Sequence, residues 1–252
     1  MSNGVSADAT QVSSPVDGLS QIERVVDTFV APSKTFTDIV RNTSWWLPFV
    51  LLLLATIASS YVVQKQVGFD RVYVNMVHDS PKTEDRINQM DPAQKARMLS
   101  TGETQVKFSS YGAFVFLLIF FALYALIVWA SFNFGLGAHT TYAQVFAVTF
   151  YASLPYLLLS LLTIITLYAG GNAEAYDVRN PVGTNPAYYM ADAAPWLRSI
   201  LSSLDIVKIW SNVLMVIGMA IVARKTIAQS ATIIGVLWLL GVALQTVTAA
   251  FS

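Results

Sequence analysis

Between Lys107 and Glu174 the chain carries no formal charge for 66 residues, Phe108 to Ala173, and His139 is the only group there that titrates near neutral pH. A membrane-crossing helix needs roughly 20 apolar residues at about 1.5 Å rise each. The run is too long for one crossing and suits two. Its middle, Phe134-Gly135-Leu136-Gly137-Ala138-His139-Thr140-Thr141-Tyr142, gives way to two glycines and a polar cluster, the chemistry of a tight turn. The stretch therefore predicts a membrane helical hairpin with arms at about 110–134 and 143–168. Pro155 in the second arm removes one backbone hydrogen bond and crowds the carbonyl of Tyr151, which predicts a kink.

Only 12% of the 252 residues are charged, against about 25% in soluble domains. That places the chain in the integral-membrane class. Fifteen basic and fifteen acidic residues cancel, so no net field points to nucleic acid as a partner. The absence of cysteine excludes disulfides, thiolate catalysis and thiolate metal sites.

Residues 1–20 hold neither an aromatic nor a basic residue and are expected to form a disordered tail. From Gln21 to Asn42, Ile22, Val25, Val26, Phe29, Val30, Phe36, Ile39 and Val40 recur at helical spacing, with Arg24, Lys34 and Arg41 among polar neighbours. This reads as an amphipathic helix in the membrane interface, with a partner-docking helix as the alternative. A first span is expected at about 45–64, anchored by Trp45 and Trp46 and with Pro48 in its first turn.

The segment 65–108 is the one sizeable water-exposed region. Lys65 to Lys107 hold seven basic and six acidic residues. Ser80-Pro81 and Asp91-Pro92 predict two helix starts, and Gly102 is expected to close the second helix. Phe69, Val72, Tyr73, Met76 and Val77 form a stripe that must pack against something. The loop from Ala169 to about Ser203 is broken by Gly170-Gly171, Asn180-Pro181 and Asn185-Pro186 and shows no regular pattern.

Two further spans are expected at about 204–223 and 227–250. In the fourth, Lys208 snorkels and pairs with Asp205. In the fifth, Ala231 to Gly235 is a small-xxx-small spacing that permits close helix approach. The fold class is thus all-α integral membrane: five transmembrane helices, an N-terminal interfacial helix and a small helical water-exposed subdomain between spans one and two. Arg24, Lys34 and Arg41 before the first span, with Arg224-Lys225 in the tightest loop, favour a cytoplasmic N-terminus.

No HExxH, GxxxxGK[ST], GxGxxG or GxSxG pattern occurs, so neither catalysis nor a metal or other cofactor is expected. No Asp, Glu, His or Arg is evident in the bilayer interior, since Asp205 and Lys208 fall near a span end, and this argues against ion-coupled transport. Asn133, Gln144, Asn212 and Gln245 are candidate interhelical polar contacts. The leading expectation is a non-enzymatic scaffold or adaptor whose partners are the lipid bilayer and membrane proteins, a homo-oligomer included. The alternative is a small-molecule permease or lipid-handling transporter with a cavity beside Pro155, using Asn133, Gln144 and Asn212.

Four stretches carry a family resemblance: Pro32 to Phe36 followed by Trp45-Trp46-Leu47-Pro48, Gly135-Leu136-Gly137 with Thr141-Tyr142, Tyr151-Ala152-Ser153-Leu154-Pro155, and Leu204 to Trp210. Over about residues 22–250 the chain resembles the Yip1 domain family, in its prokaryotic branch. The resemblance singles out Pro48, Gly135, Gly137, Thr141, Tyr142, Tyr151, Pro155 and Trp210 as motif residues with structural roles. It implies five spans and a cytoplasmic N-terminus in a bacterial inner membrane, or alternatively a Golgi or ER membrane. Eukaryotic relatives interact with Rab GTPases, but here the tail is short and Tyr111-Gly112-Ala113 lacks the proline of their motif. A Rab partner does not carry over.

Overall fold

The computed structural model describes residues 18–251 except 172. The tail expected over 1–20 lies almost wholly outside the described residues. All regular structure among them is helical: α1 (Gln21–Val30), α2 (Pro32–Ile39), α3 (Trp46–Gln66), α4 (Phe69–His78), α5 (Pro81–Asn88), α6 (Pro92–Tyr111), α7 (Ala113–Ala130), α8 (Tyr142–Ala152), α9 (Tyr156–Tyr168), α10 (Pro195–Ser203), α11 (Ile206–Val222) and α12 (Ile227–Phe251). A π turn, Ser131–Gly135, extends α7, and a 3-10 turn covers Pro186–Tyr189.

Trp46–Gln66, Val115–Gly135, Tyr142–Tyr168 and Ile227–Phe251 are each long and apolar enough to cross a membrane. Between the third and the last of these, α10 and α11 meet at 50° and are long and apolar enough only when taken together. The protein is an all-α integral membrane protein with up to five crossings. The expected turn of the hairpin sits at its far end, where the π turn gives way to Gly137, whose φ of +59° suits glycine.

The N-terminal segment differs from a single helix lying on the membrane surface. Pro32 has no N–H and disfavours helical backbone at Ala31, so the segment breaks there into α1 and α2. The α2 stripe is enclosed: Phe36 and Ile39 have no exposed surface and join the core with Val145, Val148, Tyr151, Leu214 and Met219. Only α1 keeps an outward apolar row, Ile22, Val26 and Val30. Lipid tails are as apolar as a protein interior, so fit rather than transfer from water holds α2 in place. Gly218 provides that fit, because a Cβ there would stand 2.6 Å from a Val148 methyl and 2.9 Å from the Phe36 ring.

The Trp45-Trp46 pair divides. Trp46 faces outward, whereas Trp45 stacks on Phe150 at 5.1 Å and meets Phe146 edge-on at 5.0 Å, locking the start of α3 onto α8. Pro48 is buried in the first turn of α3, where its missing N–H has no intrahelical partner to lose.

On the opposite face, α4, α5 and α6 form a cap. The α4 stripe packs on Val62, Val63, Val106, Leu167 and Tyr176, which answers what covers it. Gly102 does not close a helix. α6 runs through it to Tyr111, and the Tyr73 ring occupies the space where a Cβ would stand. The loss of helix propensity, about 1 kcal/mol, is offset by this close packing of α4 on α6. The loop after α9 is more ordered than expected, since it contains the 3-10 turn and α10.

Candidate functional site

Three polar assemblies organise the bundle. The first closes the hairpin. Asn133, on the π turn, donates to the Thr140 carbonyl at 3.0 Å and accepts from the Thr140 amide and hydroxyl. Trp129 Nε1 donates to the same carbonyl at 2.9 Å. Thr141 and Gln144 then form a reciprocal capping box that starts α8. Tyr142 donates its hydroxyl to the Ala122 carbonyl on the other arm. Gln144 Nε2 reaches the Val40 carbonyl and Lys225 Nζ the Leu136 carbonyl, so the N-terminal helices and the α11–α12 turn are both tied to this hairpin. Gly135 has open space where a Cβ would stand.

The second assembly lies between α1 and α2. Arg24, expected among polar neighbours near water, is only 1% exposed. Its Nε donates to Asp38 Oδ2 at 2.7 Å and its Nη1 to the Asn42 carbonyl at 2.8 Å. Arg41 pairs with the other Asp38 oxygen. Thr28 and Thr35 both donate to the Arg24 carbonyl. Phe29 then meets Trp210 edge-on at 5.6 Å, and the Tyr151 hydroxyl donates to Gln21 Oε1. Twelve residues of helix, about 18 Å, separate Trp210 from the end of α11, so the α1–α2 pair reaches far along the bundle.

Burial pushes the Asp38 carboxyl up, but the Arg41 and Arg24 guanidiniums outweigh it and hold it below its ordinary value of 3.8. A depressed carboxyl contributes stability that is complete above its unfolded-state value and is lost as pH falls through the folded-state one. The N-terminal pair should therefore stay docked at pH 5 to 7 and release in strong acid. Trp210 fluorescence or limited proteolysis of α1 would follow this, and Asp38→Asn should flatten the acid transition.

The third assembly lies at Pro155, where the α-helix is interrupted over three residues within one membrane-length run, Tyr142–Tyr168. Ser153, Leu154 and Pro155 leave the α-helix, and the Leu154 amide takes over the Tyr151 carbonyl at 3.1 Å. The Ala152 carbonyl receives the Ser211 hydroxyl of α11 at 2.8 Å. In lipid such a rescue from a neighbouring helix is needed, because an unpaired carbonyl costs several kcal/mol.

The same region corrects the reading of the fourth span. Asp205 does not pair with Lys208. It caps α11, accepting from the Val207 and Lys208 amides, and takes Thr184 Oγ1 and Asn185 Nδ2 on its other oxygen. Lys208 Nζ instead donates to the Ser202 carbonyl at 3.0 Å. Asp205 is 2% exposed, so the bundle does enclose a carboxylate that a scan for charges inside apolar runs passes over.

Of the other interhelical candidates, Asn212 donates to the carbonyl of Lys208 one turn back, and Gln245 lines a cleft on the cap face. Asn133 and Gln144 both serve the hairpin turn, and Asn212 is not brought to them. The two clefts on the cap face are lined by neither Pro155 nor those three residues. Gly235 of the small-xxx-small spacing has no atom within 4 Å of a Cβ position. α12 packs instead through Ile234 and through Ser230, whose hydroxyl reaches the Val216 carbonyl.

Cap and loop are fastened by Arg198, which bridges Asp79 at 2.7 Å and Asp177 at 2.8 Å. Asn75 donates to the carbonyls of Glu174 and Tyr176. Sequence reasoning missed the buried pairing of Arg24 with Asp38, and Arg198 altogether. Among the described residues no group of three or more His, Cys, Asp or Glu side chains is placed to hold a metal ion.

The model of the Yip1 domain matches residues 26–248. No curated protein and no solved structure matches the chain.

Proposed function

The chain belongs to the Yip1 domain family, and on that premise we propose that it is a non-enzymatic membrane scaffold or adaptor, of the family's prokaryotic branch, that holds protein or lipid partners against its helices. The observation that carries this reading is α12. It packs on α10 and α11 yet leaves Val236, Leu239, Leu240, Leu244, Val247 and Phe251 exposed along its length. Its neighbours are fixed by polar ties at both ends of the bundle, so the outward face is a stable surface on which a second membrane helix, from another protein or another copy, can pack. A permease would need polar groups converging on a cavity beside Pro155, and Asn133 and Asn212 are spent elsewhere.

A photo-crosslinking side chain at Leu240 in native membranes should give one discrete adduct, and the same group at Val148, in the core, should give none. A lipid-only signal at Leu240 together with a monomeric particle would remove the protein-scaffold reading. We place the described N-terminal helices in the cytoplasm of a bacterium, with Arg24, Arg41, Arg224 and Lys225 on that face. A reporter fused after Ser252 should then be active only outside the cytoplasm, and cytoplasmic activity would invert the topology.

A further inference from the structure

On the cap face, α10, the end of α12 and the 177–180 loop enclose a cleft of about 460 Å³. Its charges are unevenly matched. Arg198 is occupied by Asp79 and Asp177. Lys208 and Arg179 also line the cleft, and among the described residues neither has a carboxylate within ion-pair distance. Lys208 bonds the neutral Ser202 carbonyl, and Asp205, engaged by Thr184 and Asn185, attracts it through space without contact. The wall is also under-satisfied: Asn180 Oδ1 lacks a donor and Arg198 Nε lacks an acceptor, and both are buried.

The cleft is continuous with hydrocarbon-facing surface. Gln245 and Thr248 of α12 line it. Leu244 stands one turn before Thr248 and Leu240 two turns before, both exposed. Trp196 on α10 and Tyr189 on the adjoining 3-10 turn are exposed as well, the arrangement of side chains at headgroup depth. An occupant that satisfies all of this carries an anion, a hydrogen-bond donor and a hydrocarbon tail.

We infer that this cleft binds the headgroup of a phosphoglyceride whose polar alcohol bears O–H or N–H donors, such as glycerol or ethanolamine. The phosphodiester lies between Lys208 and Arg179, the alcohol end donates to Asn180 and the neighbouring carboxylates, and an acyl chain follows Leu244 at the cleft edge of α12, leaving Leu240 to the partner helix. A choline headgroup offers the same phosphate but no N–H or O–H donor, so it fits less well. The inference deepens the scaffold reading by naming a lipid partner, and it rests on that reading.

The test uses the full chain in phosphatidylcholine nanodiscs containing graded phosphatidylglycerol, with retained lipid counted by native mass spectrometry. The wild-type protein should hold phosphatidylglycerol in preference to phosphatidylcholine. Each cation near a membrane surface contributes about fivefold, so Arg179→Gln together with Lys208→Gln should weaken retention about 30-fold. Arg179→Gln alone, on an exposed loop, should weaken it about fivefold with an unchanged melting temperature. Glycerol phosphate in solution should not displace the lipid.

Equal retention by wild type and variants, or no preference over phosphatidylcholine, would overturn the inference. Full displacement by glycerol phosphate would also overturn it, by marking a pocket for a soluble phosphate ester. Loss of the Leu240 adduct with lipid selectivity intact fails the protein-scaffold reading alone. Loss of selectivity with the adduct intact fails only this inference.

Discussion

Arg24→Ala should lower the apparent melting temperature by about 10 °C in mild detergent and free α1 for proteolysis. Arg24 is 1% exposed and supplies two donors to Asp38 and one to the Asn42 carbonyl. Its removal leaves a buried carboxylate with Arg41 and the Leu19 amide as its remaining partners. Breaking one side of a buried pair costs about 3–5 kcal/mol, and for a chain of this size each kcal/mol moves the melting temperature by about 2–4 °C. The pair itself need not be a large net stabiliser, because desolvation of both charges opposes their attraction. Arg24→Met combined with Asp38→Leu should consequently recover most of the loss. Similar destabilisation in the double and single variants would show that the Asn42 contact, and not the charge pair, holds the hairpin.

Gly218→Leu should prevent the protein from being isolated as a single species. The side chain would enter space held by Phe36 and Val148, where a Cβ alone already stands at 2.6 Å and 2.9 Å from its neighbours. Overpacking commonly costs about 1–3 kcal/mol. Here all three crowded elements, α2, α8 and α11, belong to the same core, so no one of them can retreat alone. Gly235→Leu is the matched control on another membrane helix: its Cβ position is open, and the change should stay within about 0.5 kcal/mol. Gel filtration and thermal unfolding of the two variants separate these outcomes. Equal behaviour would mean that α2 is not a fixed part of the core.

The spans were legible because their signal is length and lack of charge, which local sequence carries in full. The cap stripe of Phe69, Val72 and Met76 was legible for the same reason, as a period. What escaped was pairing across the chain. Arg24 and Thr28 lie one turn apart on α1, and Thr35 and Asp38 are likewise spaced on α2. Those spacings mark two polar faces that meet only once Pro32 turns the chain. The apolar row Ile22, Val26 and Val30 suggested that the opposite side of α1 met water, whereas that side meets α2. Arg198 was hidden differently, because its partners Asp79 and Asp177 are 119 and 21 residues away. The turn residues Gly137, Thr141 and Gln144 were readable because a capping box and a positive φ are local demands. Gly102 and Gly235 misled for one shared reason: a glycine announces room, and only the fold says whether a neighbour takes it.

The break at Pro155 bears on how the chain enters its membrane. When α8 and α9 leave the ribosome, the Ala152 carbonyl has lost its own helix donor, and its partner Ser211 lies 59 residues further on. Between them comes the whole 169–203 loop, which must cross to or remain on the cap face before α11 can approach. Until then the third span presents an unpaired polar group to hydrocarbon, a cost of several kcal/mol. The third span is therefore expected to reach its final packing only once α11 has arrived to supply Ser211.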